Sequence, residues 1–248
     1  MTTDKRSQSA HAPLLPANEI LRAKALTVYE RLVALYGARE HIPRREPMHE
    51  LISTILSHRT TGKNEGEAYR NMWARFGSWQ AIRDAPLPAL IETLSPATFP
   101  EVKAPYIQGV LTRIATERGE SEPNIDFLRD WPTDQALDWL MSMPGVGIKT
   151  ATLVLLFCFG RPVLPVDTHV HRISQRVGLI GAKVNPTAAH PIVLALLPPD
   201  PYLLYNFHIA NLRHGQQVCI WGTPHCEKCP LTDICDWYQK NRAARSGS

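Results

Sequence analysis

Cys219, Cys226, Cys229 and Cys235, spaced C-x6-C-x2-C-x5-C, gather the thiol chemistry of this chain into one short stretch. The 218 residues before them hold a single further cysteine, Cys158, inside the apolar run Leu153 to Phe159, where it reads as a small buried hydrophobe. Four thiols at these intervals suit one metal site. The start of the chain, MTTDKRSQSAHAPLLPANE, is polar and lacks the apolar core of a secretory signal. A reducing compartment is therefore expected, where clustered cysteines bind metal more often than they pair as disulfides. Zinc sites usually set two short knuckles across a long spacer, whereas here one C-x2-C is flanked by wider gaps. All-thiolate ligation also suits a [4Fe–4S] cluster. Spacing alone leaves zinc, cluster and, less favoured, disulfides open.

A second segment with chemical content is Ala136 to Val154, in which two helical stripes flank Met143-Pro144-Gly145-Val146-Gly147-Ile148-Lys149. Pro144 is expected to end the first helix, and the glycines permit conformations and close approaches that a side chain would obstruct. Amides at the start of the second helix, aided by its dipole, suit a phosphate oxygen and would bind without reading sequence. An ordinary turn between helices is the competing explanation. By residue type alone, Lys149 reads as a solvated lysine or a phosphate contact, and Asp167 of Val166-Asp167-Thr168-His169 as an N-cap.

The elements that must position these groups are helical. Leu21, Ala25, Val28, Leu32 and Leu35 recur at steps of four and three between a candidate cap at Asn18 and a stop at Gly37. Similar stripes follow at Leu51, Ile52, Ile55 and Leu56, at Ile107, Val110, Leu111 and Ile114, and at Leu137, Leu140 and Met141. Period-two alternation between hairpin turns is absent, so an all-α fold is expected. With 248 residues and 44% hydrophobic content the chain can bury a substantial core as one large domain or two ordinary ones. The longest apolar run, Ala151 to Phe159, is about half the length needed to cross a bilayer. No membrane association is expected, and a soluble monomer is. A net charge of +4 and a pI of about 8.8 permit a polyanionic partner without naming one. Residues 1 to about 16 and the RAARSGS ending have the composition of tails.

Taken together, MPGVGIKTA, VDTHVHR and the four-cysteine ending resemble, in order and spacing, the endonuclease III family of helix-hairpin-helix DNA glycosylases, over residues 18 to 240. The resemblance implies a [4Fe–4S] cluster on the four cysteines and two helical lobes flanking a DNA-binding cleft. Those lobes are a six-helix barrel with the helix-hairpin-helix at 44–160, and a cluster lobe formed by 161–243 with the N-terminal helix at 18–43. Residues 1–17 and 244–248 would be tails. It further implies double-stranded damaged DNA as partner, Lys149 as nucleophile and Asp167 as catalytic carboxylate. Gly145, Val146, Gly147 and Thr150 of the hairpin, with Arg59, Phe99 and His169, become the expected DNA-binding residues. His171 and Arg172 carry no expected chemistry. The location implied is cytoplasmic, nucleoid-associated if the source is bacterial.

Several positions depart from the family pattern. Leu56-Ser57-His58-Arg59-Thr60-Thr61-Gly62 stands where the family commonly has Leu-Ser-x-Gln-x-Thr-Asp, so Arg59 replaces a gap-filling glutamine and Gly62 an aspartate. Arginine is longer and charged, and recognition of the opposite base should change. The loop Ser95 to Val102 is expected to be longer and richer in proline than usual, with Phe99 as its apolar wedge. The segment Ile220 to His225 lacks the usual basic side chains, and Gln216 sits where one is common, which predicts fewer phosphate contacts. The expectation is a glycosylase and AP lyase acting on oxidised pyrimidines. The alternatives are a lesion-binding protein with little turnover and a glycosylase of altered base specificity with weak lyase activity; a lysine at 149 disfavours the adenine-removing branch.

Overall fold

The computed structural model describes residues 19–40 and 46–246, and every regular element among them is helical. In chain order these are α1 (Glu19–Tyr36), α2 (Pro47–Ser57), α3 (Gly62–Phe76), α4 (Trp79–Asp84), α5 (Leu87–Thr93), α6 (Pro100–Arg118), α7 (Thr133–Met141), α8 (Ile148–Phe159), α9 (Thr168–Val177), α10 (Pro186–Leu194), α11 (Pro201–Gln217) and α12 (Asp236–Ser246). Residues 1–17 and Asn18 lie outside the described residues, so the expected tail and cap are not addressed. At the other end, α12 runs to Ser246, so the stretch that composition assigns to a tail is helical over most of its length.

The apolar stripes are buried with two corrections. Leu51, Ile52, Ile55 and Leu56 on α2 and Ile107, Val110, Leu111 and Ile114 on α6 are fully inaccessible. On α1 the buried line is Ala25, Val28 and Leu32, while Leu35 faces solvent. On α7 it is Ala136 and Leu140, with Met143 beyond the helix; Met141 is exposed, so the stripe is displaced by one residue from the sequence reading. Helix α8 is different in kind, because Thr150 through Cys158 are all buried. It packs against α2 and α7 on one side and α10 and α11 on the other.

α1 is fastened to the C-terminal elements by polar contacts as well as by packing. Lys24 pairs with Asp236 at 2.7 Å, and Arg31 reaches Asp233 and the Pro230 carbonyl. Arg213 donates to the Tyr36 carbonyl, and the Asn206 amide brackets the backbone of Arg39. The exposed pairs contribute little individually, so the apolar face of α1 carries most of its attachment.

The hairpin between α7 and α8 is seated on α6. Helix α7 ends at Met141, three residues before Pro144, whose ring lies where a Cβ on Gly109 would stand only 3.0 Å away. Arg113 donates to the Ser142 carbonyl at 2.7 Å. Gly145 adopts φ +74°, and a Cβ there would lie 2.6 Å from the Tyr106 ring. Gly147, at φ −97°, has open space where its Cβ would be. Gly145→Ala should therefore destabilise the fold by about 1–3 kcal/mol through backbone strain and the Tyr106 clash, while Gly147→Ala stays within about 0.5 kcal/mol. Thermal unfolding of the two variants against the parent checks the contrast.

Candidate nucleic-acid interface and catalytic centre

Lys149 occupies the first turn of α8, where amides lack intrahelical partners, and its side chain is half-buried. Burial pulls its pKa below the ordinary lysine value, and the carboxylates of Asp167 and Glu50 act against that shift. Its amine thus stands within electrostatic reach of two carboxylates while losing the hydration that favours the ammonium form. Glu50, buried on α2 with Thr54 Oγ1 3.5 Å from its Oε1, was not singled out from the sequence. No local pattern marks it, because α2 reads as an amphipathic core helix.

Asp167 caps α9. Its Oδ1 accepts from the His169 and Val170 amides at 2.9 and 2.8 Å, so both bonds fall on one oxygen and Oδ2 lies outside them. The N-cap explanation of this residue therefore holds as geometry, alongside any other role. The extended segment before it is gripped by two buried histidines. His208 on α11 donates from Nδ1 to the Pro165 carbonyl at 2.9 Å. His190 on α10 donates from Nδ1 to the Pro186 carbonyl, leaving Nε2 to accept from the Val166 amide at 3.1 Å. Burial lowers the pKa of both, as these neutral, tautomer-specific bonds require. Neither histidine has a sequence signal beyond lying in an apolar helical pattern.

Thr150 turns its side chain inward. Its side chain is 1% exposed and its hydroxyl lies 3.2 Å from His58 Nε2, so only its backbone can reach a ligand. Val146 is likewise buried, with its amide donating to the Met143 carbonyl at 3.2 Å, while Gly147 is exposed and Gly145 half-buried. His169 turns partly inward: a Cβ on Gly215 of α11 would meet its ring at 2.6 Å, and Arg172 stands 3.1 Å from its Nδ1. Arg172 is a buried clamp, donating to the Cys219 and Gly215 carbonyls. His171 binds the Val184 carbonyl. Neither is free for chemistry.

Arg59 and Phe99 are both exposed, on loops that close α2 and open α6. The loop before α6 is shorter than the sequence suggests, since Pro100 to Val102 already belong to the helix. Phe99, Val102 and Tyr106 form an exposed apolar line along α6 that ends against Gly145 of the hairpin.

The four cysteines carry no disulfide and together line one small cavity, with Arg176, Val218, Pro224, Thr232, Trp237 and Tyr238. Among the described residues no group of three His, Cys, Asp or Glu side chains is placed to hold a single metal ion. Burial and the three neighbouring thiols push Cys229 up to about 12, so a bare thiol there stays protonated and only a cationic centre would reverse that. Arg176 Nη1 lies 3.2 Å from Cys219 Sγ, and His214 Nε2 lies 3.3 Å from Cys229 Sγ with Tyr36 OH at its other nitrogen. These donors around the sulfurs fit a thiolate-held group. Trp221, 69% exposed, stacks over the Arg172 guanidinium in the loop that lacks lysine and arginine.

Residues 52–199 match the HhH-GPD superfamily of base excision DNA repair proteins. The chain is 30% identical over 195 residues to endonuclease III of Thermotoga maritima, covering 79% of this chain and 85% of that protein. It is 29% identical over 216 residues to endonuclease III of Synechocystis sp., covering 86% and 92%. The structure of a trapped endonuclease III–DNA covalent intermediate shares the fold with a TM-score of 0.75 at 23% identity, over 89% of this chain and 98% of that one. Fold and match together define an HhH-GPD base-excision repair protein. Within that superfamily the chain belongs to the endonuclease III family. No helix among the described residues is long and apolar enough to cross a membrane.

His58 joins this centre. Burial, reinforced by the charges of Lys149 and Lys103, lowers its pKa to about 4 against an ordinary 6.5. The folded state keeps it neutral while the unfolded chain takes up a proton near 6.5, so the stability linked to it is complete above pH 6.5 and is lost as pH falls toward 4. His190, His208 and His214 are shifted the same way. His58→Gln, which keeps a polar partner for Thr150, should flatten but not abolish the loss of stability over that range, as measured by urea unfolding at stepped pH.

Proposed function

We propose that this chain is a DNA glycosylase with AP lyase activity in base excision repair, taking oxidised pyrimidines from double-stranded DNA with Lys149 as nucleophile. The observation that carries this reading is the desolvated amine of Lys149 beside Asp167 at the end of the helix-hairpin-helix. A damaged base rotated out of the duplex presents C1′ of its sugar to that amine. The neutral amine attacks C1′ as the bond to the base breaks, and the departing base takes up a proton. Asp167, held by the His169 and Val170 amides, stabilises the positive charge that develops on the sugar. Ring opening gives a Schiff base on Lys149, whose electron withdrawal acidifies the C2′ proton. Loss of that proton expels the 3′ phosphate by β-elimination, and water then releases the enzyme.

The remaining assignments are built on the same reading. Gly145 and Gly147, with the amide of Thr150, take a phosphate at the positive end of α8, while Val146, its amide bonded to the Met143 carbonyl, holds the turn in shape. Arg59 and Phe99 enter the duplex where the lesion leaves, and His169 supports the sugar side of the centre. Residues 44–160 form the barrel lobe, and 161–243 with the N-terminal helix form the cluster lobe, the cleft lying between them. Cys219, Cys226, Cys229 and Cys235 hold a [4Fe–4S] cluster; a cavity lined by all four cysteines, in the order and spacing of the family, supports this reading. When bound it supplies structural support for the loop from Cys219 to Cys226. The protein works as a cytoplasmic or nucleoid-associated monomer.

Borohydride reduction during incubation with a thymine-glycol or abasic duplex should give a covalent adduct with the wild-type protein and none with Lys149→Ala. Trapping should accelerate as pH rises through an inflection below 10.5, because only the unprotonated amine attacks. Asp167→Asn should slow base release by about 10²-fold or more. Absence of an adduct with the wild type, together with tight lesion binding, would establish the lesion-binding alternative that Gly62 and the neutral cluster loop favour. Purified protein should also show an iron–sulfur absorption band that disappears with Cys226→Ser; a colourless, zinc-loaded wild type overturns the cluster assignment.

A further inference from the structure

Arg59 and Phe99 are the non-glycine residues with positive φ among the described residues, at +54° and +56°. Elsewhere the fold avoids this strain. Glycine takes the left-handed position at the ends of α1, α3, α6, α8 and α9, and polar side chains cap the starts of α2, α3, α4, α9, α10 and α11. At the end of α2 the left-handed residue is instead an exposed arginine, and at the start of α6 the cap is an exposed phenylalanine with no capping side-chain bond. Large side chains persist in such conformations only where the surroundings over-determine them.

The surroundings here are two side chains. Lys103, 4% exposed on α6, donates from Nζ to the Leu56 carbonyl at 2.6 Å, the His58 carbonyl at 2.8 Å and Thr60 Oγ1 at 2.6 Å. All three of its donors are used, on the C-terminal end of α2 where a cation is favoured. Thr60 Oγ1 also accepts from the Thr98 amide at 3.1 Å and lies 3.3 Å from the His58 carbonyl. Thr60 and Thr98 are the immediate neighbours of Arg59 and Phe99. The Thr60 hydroxyl is therefore a direct bond between the two loops, and the buried amine of Lys103 fixes that hydroxyl while tying α6 to the Leu56 and His58 carbonyls. Burial lowers the Lys103 pKa to about 8, so at neutral pH it remains an ammonium ion with three donors.

We infer that Lys103 and Thr60 form a latch that locks the Arg59 and Phe99 loops into one rigid unit, so that both side chains enter the DNA duplex together. Both are positioning residues: neither touches the reacting atoms. The inference rests on the proposed reading of this chain as an enzyme that extrudes a damaged base. Without the latch each loop would relax separately toward ordinary backbone conformations, and the ordering would have to be supplied from binding energy at the moment of insertion.

Thr60→Val removes the shared hydroxyl at nearly constant volume, and Thr60→Ser restores it. Lys103→Met removes the three donors, and because that variant risks failing to fold, Thr60→Val carries the decisive measurement. Amide exchange at Thr98 in the free protein should be faster by about tenfold or more in Thr60→Val and close to wild type in Thr60→Ser, as expected for loss of the bond that holds this amide to a hydroxyl fixed by a charged donor. Extrusion, read from 2-aminopurine fluorescence beside a thymine-glycol lesion, should fall by about tenfold in Thr60→Val, with affinity for undamaged duplex unchanged within about twofold. Non-additivity between Arg59→Ala and Phe99→Ala should be measurable in the parent and vanish in the Thr60→Val background. Wild-type levels of both exchange and extrusion in Thr60→Val overturn the latch, as does faster exchange with unchanged extrusion, which would make the contact merely structural. Extrusion absent from the wild type itself overturns the enzyme reading, and the role of the latch with it.

Discussion

The burial of α8 on every side is the constraint on which the rest of the structure depends. A helix whose residues from Thr150 to Cys158 are all inaccessible cannot rotate or slide without exposing apolar surface. Its first turn is therefore fixed in space. Lys149 has to emerge there, at the edge of the core, where solvent is scarce. Packing on α2, α7, α10 and α11 ties α8 to helices from both earlier and later in the chain. The same burial lowers the pKa of Lys149 and of His58 beside it, so one packing decision sets both the place and the protonation of the centre.

The carboxylate side is set by a different means. Asp167 follows an extended, buried segment whose polar backbone cannot be satisfied by a helix, and His190 and His208 supply the missing partners from two separate helices. Neutral imidazoles do this without adding charge next to a carboxylate and a lysine whose balance matters. The N-cap bonds to Oδ1 then orient the carboxyl group, so capping and a catalytic role are compatible uses of one residue. At the cysteines the order is reversed: Arg176 and His214 bring donors to the sulfurs from α9 and α11, and Tyr36 of α1 stands behind them, its phenol on the other nitrogen of His214.

The loops carrying Arg59, Phe99 and the cysteines are held by polar devices as well as by the burial of Ala97, Val218 and Leu231. Lys103 and Thr60 tie the Arg59 and Phe99 loops, and Arg172 braces the cysteine loop beneath Trp221. This arrangement lets large side chains stand in solvent in disfavoured conformations. The exposed line of Phe99, Val102 and Tyr106 continues from one of these loops to the hairpin, giving that face an apolar ridge beside the exposed glycine backbone.

Part of this was legible in the chain. The helical stripes of α2 and α6, the hairpin glycines and the clustered cysteines show in local spacing, since periodicity is a property of a short window, whereas Lys149 and Asp167 read by type as a solvated lysine and a cap and were singled out only by the family resemblance. The displaced stripe of α7 and the exposed Leu35 show where that window fails, because which positions of a helix are buried depends on how its neighbours pack around it. Glu50, His58, Lys103, His190 and His208 were invisible for the same reason: each acquires its role only from a partner tens of residues away. The inward turn of Thr150 and Val146 belongs with them. The sequence by itself determined the helical class, the order of motifs and the residue types available for chemistry. Only the tertiary structure decided which of those groups lose water and which meet, because desolvation and hydrogen bonding between distant segments exist only once the chain has packed.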